Sequence, residues 1–293
     1  MMPPRPLSRP LSPILTALRR IVAFRSIPEI RRHRVRLANW RGPAFSIAVL
    51  SDLHVVAPWT RLGDLRRAVA RINALSPDIV VLGGDYLAEA KIPGRRADAA
   101  QIVSALSGLG APLGVFAILG NHDWKDCPLA RDSGYAKTSL GEAFERSAIT
   151  LLQNDARRLE LAGHELWLVG IDSQRSMPTA PAKPLHDPEA AFSGVPPGAP
   201  AILLAHEPDY FATGDRRAGL QISGHTHGGQ LNLFGWRPIV PSRFGARYAW
   251  GRIREHGRDL VVSGGIGFSG FPMRIGQPPE ITLVSVEGAP DAT

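Results

Sequence analysis

Apolar residues in this chain gather into short runs that stop abruptly. From residue 45 onward the runs are "FSIAVL" (45–50), "DIVVL" (78–82), "GVFAIL" (114–119), "PAILLA" (200–205) and "LQIS" (220–223). Short, continuous, β-branched and aliphatic runs bounded by turn residues predict strands covered on both faces. Between the first two runs, Leu62, Leu65, Val69, Ile72 and Leu75 repeat at helical spacing within 61–75. Between the next two, Ile102, Val103 and Leu106 do so within 95–109. Strand, helix, strand, helix, strand predicts parallel crossovers. Further strands are predicted at 149–152, 166–171, 259–263 and 281–286, in closer succession and with more antiparallel pairing. The expected fold class is α/β, a four-layer α/β/β/α sandwich of two mixed sheets flanked by helices.

The residues that end these runs turn the question from fold to chemistry. Run 45–50 leads into Ser51-Asp52-Leu53-His54, run 78–82 into Gly83-Gly84-Asp85, and run 114–119 into Gly120-Asn121-His122-Asp123. Run 200–205 leads into His206, and run 220–223 into Gly224-His225-Thr226-His227. Five of the nine histidines lie on these turns, which random scatter would not produce. In open α/β sheets, ligands bind outside the carboxyl ends of strands. Asp52 with His54, and His225 with His227, stand two residues apart and on an extended segment would point the same way.

Asp52, His54, Asp85, Asn121, His206, His225 and His227 are too many ligands for one tetrahedral ion and suit two ions of higher coordination. Carboxylate, amide and imidazole without thiolate select first-row divalent ions, Mn²⁺ first, with Fe²⁺ or Zn²⁺ as alternatives. Asp85, on the middle turn, is the expected bridge between them. Two ions about 3.5–4 Å apart lower the pKa of a shared water and clamp the oxygens of a phosphoryl group. His122 is then placed to give the leaving oxygen a proton, with Asp123 the expected orienter of its ring.

Composition alters this picture at one end only. The 293-residue chain is 44% hydrophobic and 20% charged, ordinary for a globular protein. Its net charge of +8 suggests nucleic acid until it is located. Residues 1–44 hold ten arginines and one acid, and the remainder holds 24 bases against 25 acids. A neutral body lacks the basic groove a nuclease needs. The expected organisation is a basic leader at 1–44, a catalytic domain at 45–288 and a tail at 289–293. Apolar residues at 11, 14, 15, 18, 21 and 22 predict an amphipathic helix that would lie on an anionic membrane surface. A helix packed on the body and a cleaved targeting peptide are the competing readings. No apolar run approaches the roughly 18 residues of a span, so the expected location is cytoplasmic, peripheral on the inner membrane. The single cysteine, Cys127, excludes a disulfide framework and a Cys-based zinc site.

Taken in order, D-x-H, G-D-x, G-N-H-D, a lone His and G-H-T-H resemble the calcineurin-like metallophosphoesterase superfamily over residues 45–286. The resemblance implies that Asp52, His54, Asp85 and His227 hold one ion, and Asp85, Asn121, His206 and His225 the other. It also implies that His122 is the catalytic histidine and a metal-bound hydroxide the attacking group. Flanking segments such as "LLAHEPD" and "PSRFGARYAWG" are similar to a bacterial phosphodiesterase branch with YaeI- and YkuE-type members. Some of that branch resemble UDP-2,3-diacylglucosamine pyrophosphatases of lipid A biosynthesis. The implied substrates are therefore a phosphodiester, a small nucleotide or a nucleotide-linked lipid. Arg243, Arg247 and Tyr248 are candidate substrate contacts, and 124–141 is expected to form a rim. A protein phosphatase is disfavoured by "GGDYLAEA", and a non-catalytic scaffold by the absence of any gap in the motifs.

Overall fold

The short apolar runs become the central strands of two six-stranded sheets in the computed structural model, which describes residues 22–23, 27–89, 91–175, 177 and 184–288. The first sheet runs in the order Glu29–Leu37, Glu280–Gly288, Phe45–Leu50, Ile79–Leu82, Val115–Ala117, Thr150–Leu151. The second runs Gly251–Glu255, Arg258–Val262, Leu220–Ser223, Ala201–Ala205, His164–Ile171, Asp155–Leu161. Both are mixed. In the second, parallel central pairs are flanked by an antiparallel pair on each side.

Two-residue alternation sorts the side chains into layers. Ile47 and Val49 face the second sheet and pack with Ile79, Val81, Ile202, Leu204 and Ile222. Ala48 and Leu50 face outward, against the helices Leu62–Asn73 and Ala99–Leu106. The outer face of the second sheet, with Val169, Ile171 and Leu203, is covered by the helix Pro188–Phe192 and the turn of 3₁₀ helix Pro208–Thr213. This is the expected α/β/β/α sandwich.

Three differences from the sequence reading have physical causes. Residues 29–37, assigned to the leader, form a strand paired in parallel with Glu280–Gly288 over nine residues. Arg32, Arg34 and Arg36 face solvent while Val35 and Leu37 are buried, so the basic composition belongs to one face of an edge strand. The folded body therefore starts well before residue 45. Arg95–Arg96, placed in a helix by its spacing, pairs instead with Val56–Ala57. The stretch 124–141 is no rim. It folds into short helices and the turn between them, from which Ala130, Tyr135 and Leu140 join the helix-side core.

The helix expected over Leu11–Val22 and the 289–293 tail lie outside the described residues, except that Val22–Ala23 pairs with Arg274–Ile275. No helix among the described residues is long and apolar enough to cross a membrane.

Candidate metal centre

The carboxyl ends of five parallel strands, three from the first sheet and two from the second, converge on one rim. All seven candidate ligands are buried there. Asp52, His54 and His227 form one group and Asp85, His206 and His225 another, the ligand atoms of each within 4.8 Å of one another. The Asp85 carboxylate joins the groups. Its Oδ2 lies 3.0 Å from His206 Nε2 and 3.6 Å from His54 Nε2. His54 Nε2 and His227 Nε2 face each other at 3.2 Å. The structure thus brings together the residues that sequence spacing singled out.

The ring hydrogen bonds set which nitrogen looks inward. His54 donates Nδ1–H to the Leu87 carbonyl at 2.9 Å and His206 to the Gly83 carbonyl at 2.7 Å, which turns both Nε2 atoms toward the centre. His225 is reversed. Its Nε2 sits 3.0 Å from the Pro241 carbonyl, so Nδ1 faces inward and has no hydrogen-bond partner. Arg274, fully buried, donates to His227 Nδ1 and to the His227 carbonyl.

The turns reach this geometry through unusual backbone. Asp52, His54, Asp85, His225 and His227 have φ of 53°, 41°, 56°, 70° and 53°, in the left-handed region. The paired ligands converge by this route and not by the extended alternation expected from their spacing. Each such residue costs about 1–3 kcal/mol and persists only where its surroundings over-determine it. Here they do. The Asp123 carboxylate accepts the backbone N–H groups of Asp85, Tyr86, Leu87 and Gly120 at 2.7–3.0 Å. The Asp85 carbonyl accepts from Leu53 and His54, and Asp52 Oδ1 from the His225 N–H. Gly84, at φ 91°, completes the fit, since a Cβ there would stand 2.6 Å from the Gly120 nitrogen.

Asp123 is therefore a brace of the loops and not the orienter of His122. Its neighbour along the helix, one turn on, has that role: Asp126 Oδ2 lies 2.6 Å from His122 Nδ1. An i, i+4 spacing was the available signal. Glu89, which sequence reasoning also missed, stands 3.6 Å from His122 Nε2.

Burial holds His54, His225 and His227 below the usual imidazole range, His54 at about 4, so these rings are neutral and able to ligate. Burial also lifts Asp52 to about 6 and Asp123 to about 7. For Asp85 burial pushes upward, but His206 and His122 outweigh it and hold the carboxylate ionised. For His122 burial pushes downward, and Asp85, Asp126 and Glu89 raise it above its ordinary value.

The donor set fits a pair of divalent cations. Asp52 Oδ2, Asn121 Oδ1 and His225 Nδ1 are buried and lack any hydrogen-bond partner. Buried polar atoms are satisfied in the great majority of cases, and such orphans at one place mark a missing partner.

A cleft of about 990 Å³ opens from His225 between Arg175, Glu207, Asp209, Val240 and Arg243. Arg175, on the loop after Ile171, brings Nη2 within 3.3 Å of His225 Nε2 and carried no sequence signal. Arg243 is on the cleft wall, as expected of a substrate contact. Arg247 and Tyr248 are not. Both reach the Glu255 carboxylate, and the Tyr248 ring is buried against Phe211, Leu260 and Val262. The segment itself stays beside the His-x-His turn, where Thr226 donates to the Ala249 carbonyl, but the two side chains turn away from the cleft toward Glu255 and Phe211. Arg247→Ala is accordingly expected to leave kcat/KM within about twofold of the parent, the range of surface changes remote from a site; a larger fall in a steady-state assay would return Arg247 to the cleft.

The family model for calcineurin-like phosphoesterases matches residues 45–229. A metallophosphoesterase of Bacillus subtilis, YkuE, is 31% identical over 245 residues, covering 83% of this chain and 79% of its own. Phosphodiesterase YaeI of Escherichia coli is 30% identical over 268 residues, 88% of each chain. The UDP-2,3-diacylglucosamine pyrophosphatase LpxG of Chlamydia muridarum is 27% identical over 233 residues, 67% of this chain and 69% of its own.

Proposed function

Starting from the fact that the chain belongs to the calcineurin-like phosphoesterase family, we propose that it hydrolyses a phosphodiester or pyrophosphate bond with two divalent ions, Mn²⁺ first among them. The observation that carries this reading is the set of orphaned ligand atoms on one buried rim. When bound, such ions supply a nucleophilic water at neutral pH and charge for the transferring phosphoryl oxygens.

Asp52, His54, Asp85 and His227 would hold one ion, and Asp85, Asn121, His206 and His225 the other. His122 donates Nδ1–H to Asp126, so it carries a second proton on Nε2 as the imidazolium that Asp85, Asp126 and Glu89 favour, and it offers that proton to the departing oxygen. Arg175 and Arg243 give the cleft guanidinium groups that match phosphate oxygens in pairs. A cleft of this size with two arginines suits a substrate carrying a second phosphate beyond the one attacked. That favours a nucleotide-linked substrate such as UDP-2,3-diacylglucosamine, the substrate in the name of the LpxG relative. Hydrolysis of a simpler diester, in keeping with the name of YaeI, is the alternative.

The test is a panel of UDP-2,3-diacylglucosamine, cyclic nucleotides and bis(p-nitrophenyl) phosphate, with metal content measured on the same sample. The nucleotide-lipid reading expects the first to exceed the others in kcat/KM by about 10² or more, the discrimination open to an enzyme that binds remote groups. Equal rates would leave a general phosphodiesterase. No hydrolysis of any substrate by metal-loaded protein would end the hydrolase reading.

A further inference from the structure

The large apolar side chains left exposed among the described residues are not scattered. There are seven, each at least 40% exposed. Five fall within 233–244: Leu233, Phe234, Trp236, Ile239 and Phe244. Leu233 and Trp236 pair across a tight turn whose tip is Phe234-Gly235, so Phe234 stands clear of the body. The base of that turn is tied to Ile275, through the Leu231 bridge and the Asn232 N–H. The sixth, Phe271, is held against the same base by Gln230, whose amide donates to the Ser269 and Phe271 carbonyls. The seventh, Ile27, lies between Ala23 and Glu29, whose strand partners are Arg274 and Glu280. One rim carries all seven.

The free charge of the rim's two loop segments has one sign. Segments 231–250 and 265–279 contain no acid and four arginines, of which Arg274 is buried and Arg247 is paired with Glu255, leaving Arg237 and Arg243 toward solvent. Among the described residues of the N-terminal stretch, Val22–Ala23 pairs with Arg274–Ile275 at this rim. The acids that touch these segments are engaged there: Glu89 and Asp209 with the backbone at Gly270 and Arg243, Glu255 with Arg247 and Tyr248, and Glu280 with Trp250.

The rim also borders the site. Its loop at Ser269–Gly270 hydrogen-bonds to Glu89, which faces His122. Val240, Pro241 and Phe244 form the wall of the cleft that reaches His225.

We propose that this rim is an interfacial docking surface for an anionic lipid bilayer, with the Phe234–Trp236 turn as its inserting element. Aromatic and aliphatic side chains on a protruding turn enter the boundary between headgroups and acyl chains, and arginines without acids are drawn to anionic lipid. Monomeric proteins seldom leave such a patch open without a partner. Docked this way, the cleft faces the bilayer. That the bilayer delivers the substrate rests on the hydrolase reading above, whereas the docking itself does not.

The test sediments the full chain with vesicles of phosphatidylglycerol and phosphatidylethanolamine, and separately with phosphatidylcholine alone. The parent is expected to pellet with the first and not the second. A Phe234→Ser, Trp236→Ser double variant is expected to lose about tenfold or more in partition, since two inserted aromatics are removed. Its hydrolysis of bis(p-nitrophenyl) phosphate without vesicles stays at the parent level, so failure of docking and failure of the hydrolase reading are told apart. Equal pelleting of parent and variant, or no pelleting of the parent with anionic vesicles, overturns the proposal. So does a parent dimer that the double variant dissociates in the absence of vesicle binding, which would make a second copy the occupant. Acrylamide quenching compared between the parent and Trp236→Phe gives a further check. A residue 236 shielded without vesicles would mean that protein already covers the patch, and the proposal fails.

Discussion

Asp85→Asn is expected to abolish metal-dependent hydrolysis of bis(p-nitrophenyl) phosphate while the protein remains folded. Asp85 Oδ1 accepts the His122 N–H at 2.8 Å, a contact an amide oxygen keeps. Its Oδ2 is the atom that faces both ligand groups, at 3.0 Å from His206 and 3.6 Å from His54. An amide nitrogen placed there satisfies the His206 lone pair, so the loops stay braced by Asp123 as before. What would be lost is the negative charge that Asp85 places between the two ligand groups. Electrostatic support of this kind is worth several kcal/mol, and the expected fall in kcat is about 10³-fold or more. Metal analysis should show fewer than two ions per chain, with circular dichroism unchanged. A variant that keeps both ions and a tenth of the parent rate would show that Asp85 is not the bridge.

His122→Ala gives the complementary result: two ions bound, turnover slowed by about 10²–10⁴-fold, the usual scale of acid–base help. No ligand atom is removed, because the ring lies beside His54 at 5.2 Å between centroids and contacts Asp126 and Glu89. Asp126→Asn separates ring placement from charge. Asp126 raises the His122 pKa, so its neutralisation lowers that pKa. The acid is then deprotonated earlier as pH rises, and the alkaline limb of the kcat profile moves to lower pH. An unshifted limb would mean that another group gives the proton. Full activity in His122→Ala would remove its assigned role altogether.

The seven candidate ligands could be picked out in the sequence because each stands where an apolar run ends, and strand ends are where sheets present ligands. The central strands were legible for the same reason. Three of the four sheet edges were not: Glu29–Leu37, Asp155–Leu161 and Gly251–Glu255. Edge strands are protected by charge, and these are rich in Arg and Glu, so a search for apolar runs passes over them. The left-handed φ at five ligands was hidden too. Spacing alone gives the same pairing of Asp52 with His54 whether the backbone is extended or left-handed. The choice between Asp123 and Asp126 as partner of His122 turned on a helix of five residues that begins at Asn121, too short to leave a periodic trace. Arg247 and Tyr248 differ for another reason: their backbone does lie beside the His-x-His turn, but sequence does not show which way a side chain turns, and these two reach Glu255.

The strand at Glu29–Leu37 has a practical consequence for anyone who would trim the basic N-terminus. Cutting near residue 26 removes five arginines and leaves the sheet whole. Cutting near residue 40 also strips away Trp40, which is wholly buried against Phe45, and uncovers the full length of Glu280–Gly288. The bared N–H and C=O row is then free to recruit a strand from another molecule. The longer deletion should precipitate or oligomerise on concentration, and any loss of vesicle binding it showed would report misassembly and not a missing anchor.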